Sequence, residues 1–167
     1  MPQTVRAAIA RALLAAVCAL GAMPALAQFE AGAGVSWTRG NEATPVLAVA
    51  WVPELRPLAG GVLRADLGAM YFDGRDGRDG QRARRRASGV TVLHVGLRYG
   101  RGATGLFVGG GLGAQSGTTD ALSGGPQFVT TLGWRWRHTS LLLRHVSNAS
   151  LRSPNDGETL AVVAWRF

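Results

Sequence analysis

Residues 61–73 read GVLRADLGAMYFD. Leu63, Ala65, Leu67, Ala69 and Tyr71 share one parity, while Arg64 and Asp66 sit on the other. Period two is the mark of a β-strand, because successive side chains leave a strand on opposite faces. Which face looks where decides the fold. A soluble sandwich would bury the apolar face. A membrane barrel would turn it to lipid and pair the charges inside.

The pattern recurs along the chain. Eight segments of about 10 residues, the length a tilted membrane strand needs, run over 28–38, 45–53, 61–73, 88–100, 104–115, 125–137, 138–149 and 158–167. In the fourth, Leu93, Val95, Leu97 and Tyr99 alternate with His94 and Arg98. In the sixth, Phe128, Leu132, Trp134 and Trp136 alternate with Gln127, Thr131 and Arg135. In the last, Ala161, Val163, Trp165 and Phe167 share a face. The fifth, LFVGGGLGAQ, is glycine-rich and reads as a strand bent tightly in a small barrel.

Two features favour the membrane. With alternating strands, Phe29, Trp51, Tyr99, Trp134, Trp136, Trp165 and Phe167 fall at one rim, and Trp37 and Tyr71 at the other. Two aromatic girdles suit the two interfaces of a bilayer. The chain also ends in Trp-Arg-Phe, a terminal aromatic on an amphipathic strand, which resembles the last strand of bacterial outer-membrane barrels. The expected fold is therefore all-β, an eight-stranded antiparallel transmembrane β-barrel of the bacterial outer membrane. Joins near 101–104 and 137–138 are tight, as periplasmic turns should be. Those near 74–87, 116–124 and 150–157 are longer, as external loops should be. PELRPLAGG departs from this rule as a long periplasmic connection.

The start of the chain reads as an export signal. Arg6 and Arg11 precede the apolar run ALLAAVCALGAM, and Ala25-Leu26-Ala27 gives the small-x-small cleavage pattern. Residues 1–27 are read as signal peptide and 28–167 as the barrel domain. The only cysteine, Cys18, lies inside the signal, so the mature chain has no disulfide and must close its own strands for stability. All 18 basic residues are Arg. The mature chain keeps 16 of them against 10 acids, a net +6. Export argues against nucleic acid, and the charge suits anionic lipid headgroups. Much of it sits in the run DGRDGRDGQRARRR, which can meet phosphates by bidentate contacts or be simply solvated. His94 reads as a luminal polar group and His138 as a turn residue.

One stretch resists a packing explanation. Between two apolar strands lies RHVSNASLRSPNDGE. Leu141, Leu143, His145 and Ser147 share a parity, so if the leucines face lipid, His145 and Ser147 do too. Polar groups there invite a functional hypothesis. A serine needs a base to take its proton, and a histidine two residues away on the same face is within reach. The histidine in turn needs a partner to fix its tautomer. Glu158 opens the next strand, which pairs antiparallel with this one. Asn148, Asn155 and loop N–H groups are candidate oxyanion or orienting groups.

RHVSNASLRSPNDG closely resembles the motif of the lipid A 3-O-deacylase family, the PagL-type outer-membrane esterases. That family's pattern, H-x-S-N-A followed by P-N-x-G and an acid, is matched by His145, Ser147, Asn148, Ala149, Pro154, Asn155, Gly157 and Glu158. The detailed match covers about 14 residues. The resemblance implies an eight-stranded barrel with a Ser/His/Glu active site on its outer wall, near the extracellular rim. It implies hydrolysis of the ester-linked acyl chain at position 3 of lipid A, with Ser147 as nucleophile and His145 as base. No metal or organic cofactor is implied. The implied partners are lipopolysaccharide and outer-membrane lipids, with a homodimer left open.

One departure stands out. Counting back from Phe167, Glu158 falls on the inward face and Thr159 on the outward one. Members of the family carry the acid at one or the other of these positions. A bulge would bring Glu158 round, and Asp156 is a rival acid. The competing readings are a noncatalytic barrel serving adhesion or structure, and a palmitoyl transferase. The last needs an acyl-binding interior, whereas this lumen reads as polar.

Overall fold

The computed structural model describes residues 28–38, 43–73, 89–119, 121–153 and 156–167. The signal-peptide reading of 1–27, Pro154, Asn155 and the arginine-rich segment 74–87 lie outside the described residues. The strands are β1 (Phe29–Trp37), β2 (Ala43–Trp51), β3 (Glu54–Leu58), β4 (Gly61–Phe72), β5 (Val90–Gly100), β6 (Gly105–Ser116), β7 (Gln127–Trp136), β8 (Thr139–Ser147) and β9 (Glu158–Arg166). β1 pairs with β2, β2 with β4, and β4 through β9 pair in sequence order, every pair antiparallel. β9 then pairs with β1. Eight strands therefore close a barrel.

The strand missing from the sequence reading is β3. PELRPLAGG is no simple turn: Leu58 pairs with Gly61, Pro57 with Val62 and Arg56 with Leu63, with an irregularity between Glu54 and Arg56. All five residues of β3 are exposed. Among the described residues β3 pairs with β4 alone, so Pro57 sits on an edge, where a missing N–H costs no ladder bond. Its charges and proline hide the period-two signal that marks the other strands.

The faces divide as the alternation requires. Leu93, Val95 and Leu97 on β5, Leu141 and Leu143 on β8, and Val163 on β9 all point outward and are exposed. Together with Leu47, Val49, Val108, Leu112 and Leu132 they form an apolar belt around the barrel. A soluble monomer does not expose an apolar surface of that extent. The apolar face is outside, and the architecture is that of an outer-membrane barrel. Both chain ends lie at one end of it, where the Phe167 N–H donates to the Phe29 carbonyl at 3.0 Å. Trp51, Trp134, Trp136, Trp165 and Phe167 are exposed toward this terminal end, and Tyr71 toward the opposite, loop end.

The lumen has two layers. Toward the terminal end, Arg98 bridges two buried acids, donating to Glu30 at 2.6 Å and to Asp66 at 2.9 Å. Glu30 also accepts from Arg135 at 3.3 Å and Arg166 at 3.2 Å. Arg144 donates to Asp66 at 2.6 Å, and His94 lies 3.1 Å from the same carboxylate. The Phe107 ring lies beneath both Arg98 and Arg135, at 5.5 and 5.2 Å, a cation–π arrangement. Toward the loop end the interior changes character. Val46, Met70, Val90, Val92, Val146, Leu160 and Val162 form a packed apolar core. The polar-lumen expectation thus holds for one half only. There Val46, Met70, Val92 and Val162 face inward between outward neighbours such as Leu47, Tyr71, Leu93 and Val163, which erases the period-two contrast at those positions.

Tight curvature depends on absent side chains. A Cβ at Gly34 would lie 1.9 Å from the Ala161 carbonyl oxygen, and one at Gly96 would lie 2.4 Å from that of Gly110. Only glycine lets neighbouring strands approach so closely. The described parts of the β6–β7 connection, residues 117–119 and 121–126, fold in over the loop-end mouth. Leu122 is fully buried there, Gln115 donates to its carbonyl at 2.7 Å, and Gln127 donates to the Gly124 carbonyl at 2.7 Å.

Candidate active site

β8 sends Ser140, Leu142, Arg144 and Val146 inward and Leu141, Leu143 and His145 outward. Ser147 takes the next outward position and is half-buried. His145 stands between Thr130 on β7 and Thr159 on β9, and Ser147 stands beside Phe128 on β7. The parity argument is therefore met for both residues, and both lie on the outer wall near the loop end.

The imidazole is held at one nitrogen. His145 Nδ1 lies 3.1 Å from Thr159 Oγ1. The other side of the ring meets Gly157, which has a left-handed φ of +65°. A Cβ there would lie 2.7 Å from His145 Cε1, 3.0 Å from Nε2 and 3.3 Å from the Ser147 Cβ. Nε2 and Ser147 thus border the same point, which only a glycine leaves open. The Gly157 N–H is anchored by the Ala121 carbonyl at 3.1 Å, so the tucked-in β6–β7 connection supports the site from behind.

The segment after Ser147 is also held tightly. Ala149 and Ser150 both have positive φ, 52° and 63°, and the Leu151 N–H closes the turn on the Asn148 carbonyl at 3.0 Å. This is the pattern of a type I′ turn, normally the province of Asn and Gly. Non-glycine residues there cost about 1–2 kcal/mol each. Asn148 helps keep the turn in place. Its side chain is buried and its Nδ2 donates to the Arg152 carbonyl at 3.0 Å and to Ser123 Oγ at 3.2 Å. Its amide is turned inward to the loops, which makes it an orienting residue of the turn.

Glu158 lies elsewhere. The β8–β9 ladder is regular through His145↔Thr159 and Val146↔Glu158, with no bulge. Glu158 therefore faces the lumen and is buried, on the opposite face of the sheet from His145. The structure joins His145, Ser147, Gly157 and Thr159; it does not bring Glu158 to the imidazole. Asp156 is exposed, one residue before Gly157. Sequence reasoning gave no role to Thr159, to Gly157 beyond its place in a motif, or to the 121–124 segment. Strict alternation back from Phe167 did place Thr159 on the correct face. Nothing in Ala-Leu-Ser-Gly signals that a loop will tuck under the mouth.

A nucleophile next to a base, the base held by a third group, and an open approach from the lipid side are the parts an acyl-transfer centre needs. Comparison with known proteins places the scaffold. No family model and no curated protein matches the chain. Among solved structures, the crystal structure of the outer membrane enzyme PagL matches with a TM-score of 0.52, over 83% of this chain and 98% of that one. The chain shares the fold of PagL. Sequence identity with PagL is 18%, so the likeness speaks for the barrel. The roles of His145, Ser147 and their neighbours rest on the geometry of this chain.

Proposed function

We propose that the protein is a lipid A 3-O-deacylase, a serine esterase acting in the outer leaflet of the outer membrane. The observation that carries the reading is the His145–Ser147 pair on the lipid-facing wall, where packing has no use for either side chain. The motif at 145–158 and the shared fold with PagL support the same conclusion by separate routes. Residues 1–27 serve as the export signal. The terminal end lies in the periplasm, as short turns do in such barrels, so the site opens near the extracellular rim. Leu143 and Ala161, neighbours on the wall next to His145, face the acyl chains.

Ser147 Oγ attacks the carbonyl carbon of the 3-O-linked acyl chain while His145 Nε2 takes its proton. The tetrahedral intermediate collapses as the bond to the sugar oxygen breaks, and Nε2 returns the proton to that oxygen. Water then attacks the acyl-serine with His145 again as base, releasing the fatty acid and restoring Ser147. The steps use only groups of this chain, water and lipid.

The test is direct. Purified, folded barrel mixed with lipopolysaccharide in detergent should release 3-hydroxy fatty acid from position 3 and leave the other acyl chains in place. Absence of release, from a barrel shown to be folded, would move the reading to a noncatalytic barrel.

A further inference from the structure

We infer that the group orienting the His145 imidazole is the Thr159 hydroxyl, so the centre works as a Ser147–His145–Thr159 array with no carboxylate in line among the described residues. The inference rests on the proposed esterase reading and deepens it.

Three observations converge. Thr159 is the residue directly across the ladder from His145, and its Oγ1 lies 3.1 Å from Nδ1. Glu158, the acid that sequence alone nominates, is on the far face and buried. The opposite edge of the ring, with Nε2, borders Gly157 and Ser147. The chemistry follows from which nitrogen does what. To accept the serine proton, Nε2 must be bare in the resting state, so Nδ1 carries the hydrogen. Nδ1–H then donates to Thr159 Oγ1, which fixes both the tautomer and the ring plane. A hydroxyl performs this orienting task as a carboxylate does. It differs in one respect: it offers no full negative charge to the imidazolium formed during attack.

That difference has a sign. A carboxylate beside Nδ1 favours the protonated ring and raises the pKa of the base. A hydroxyl places no such charge beside the ring. The described groups around the ring are Thr130 on β7, Thr159 on β9, and Gly157 and Ser147. Arg144 and Glu158 lie on the other face of the sheet. Asp156 is the nearest exposed acid in chain order.

The experiment reads the array without relying on the natural substrate. A long-chain alkyl fluorophosphonate labels an activated serine by forming a P–O bond as fluoride leaves. Its labelling rate is measured against pH for wild type, Ser147→Ala, Thr159→Val, Thr159→Ser, Thr159→Glu, Glu158→Gln and Asp156→Asn. Release of 3-hydroxy fatty acid from lipid A is measured in parallel. Thr159→Val should slow labelling roughly tenfold, the scale of one lost hydrogen bond, and Thr159→Ser should stay near wild type. Thr159→Glu should shift the acid-side limb of the profile about 1 unit or more to higher pH. Glu158→Gln and Asp156→Asn should leave the limb in place. Thr159 exchanges lie on the outer wall and spare the core, and each variant is checked for its folded electrophoretic mobility. Wild-type labelling rate and profile in Thr159→Val, or loss of labelling in folded Glu158→Gln or Asp156→Asn, would overturn the inference, as would a wild-type Ser147 that does not label. Labelling without fatty-acid release would instead leave the array intact and reject lipid A as its substrate.

Discussion

Asp66 and His145 are both polar residues within membrane-length strands, yet their surroundings have little in common. Asp66 faces the lumen and is gripped by Arg98, Arg144 and His94, each within about 3 Å. His145 faces outward and is exposed, with its Nδ1 directed at one threonine hydroxyl. In the lumen cluster four arginines, Arg98, Arg135, Arg144 and Arg166, surround two acids, Glu30 and Asp66. Its arginines and acids form a cross-brace from β1 through β4 and β5 to β8, the kind of network that fixes a barrel's shape. The wall cluster braces nothing. Its nearest neighbour, Gly157, is a residue whose missing side chain leaves space beside the ring. The contrast teaches that the buried charges inside this barrel brace its strands, whereas the polar pair on its wall braces none and is the pair the proposed chemistry uses.

Removing Ser147 separates the two regions most sharply. Ser147→Ala should abolish esterase activity by about ten-thousandfold or more, with unchanged resistance to urea unfolding in detergent micelles. Asp66→Ala should do the reverse. Leaving Arg144 buried without its acid, and Arg98 with Glu30 alone, should cost about 3–5 kcal/mol of stability, read from the same unfolding curves. Whatever fraction stays folded should retain its activity per folded molecule. A large activity loss in folded Asp66→Ala would break the distinction.

Gly157→Ala probes the space itself. The methyl group would meet His145 Cε1 at 2.7 Å in a backbone with φ +65°. Displacing the ring by a fraction of an ångström should reduce kcat about a hundredfold, while the backbone strain costs about 1–2 kcal/mol. Asn148→Ala is the mildest change. It removes the inward anchor of the turn after Ser147 and should cost about 1–2 kcal/mol, with a smaller fall in rate than Gly157→Ala. An Asn148→Ala fall as deep as that of Ser147→Ala would give its amide a direct part in the reaction.

Much of this was legible in the residues. Alternation over Leu63–Tyr71 and Leu93–Tyr99 located strands, and the shared parity of Leu141, Leu143, His145 and Ser147 placed the candidate pair on the wall. Eight of the nine strands were found that way. β3 was hidden because Glu54, Arg56 and Pro57 lie on an exposed edge that needs no apolar face. The upper lumen was misread because Met70, Val90, Val92 and Val162 pack against one another inside while apolar neighbours face lipid outside. Burial on both faces leaves no period to read. Glu158 was nominated because proximity in sequence cannot distinguish the two faces of a strand, although parity already set it opposite His145. The tucking of Leu122 under the mouth depends on long-range contacts that no local pattern carries.

The most direct measurement is the mass spectrum of lipid A from a Gram-negative host expressing the full chain or its Ser147→Ala variant, with barrel insertion verified for both. Loss of one 3-hydroxyacyl chain with the wild-type protein, and intact lipid A with the variant, is the predicted result. Identical lipid A from both strains, or the same loss from both, would contradict a catalytic centre at Ser147.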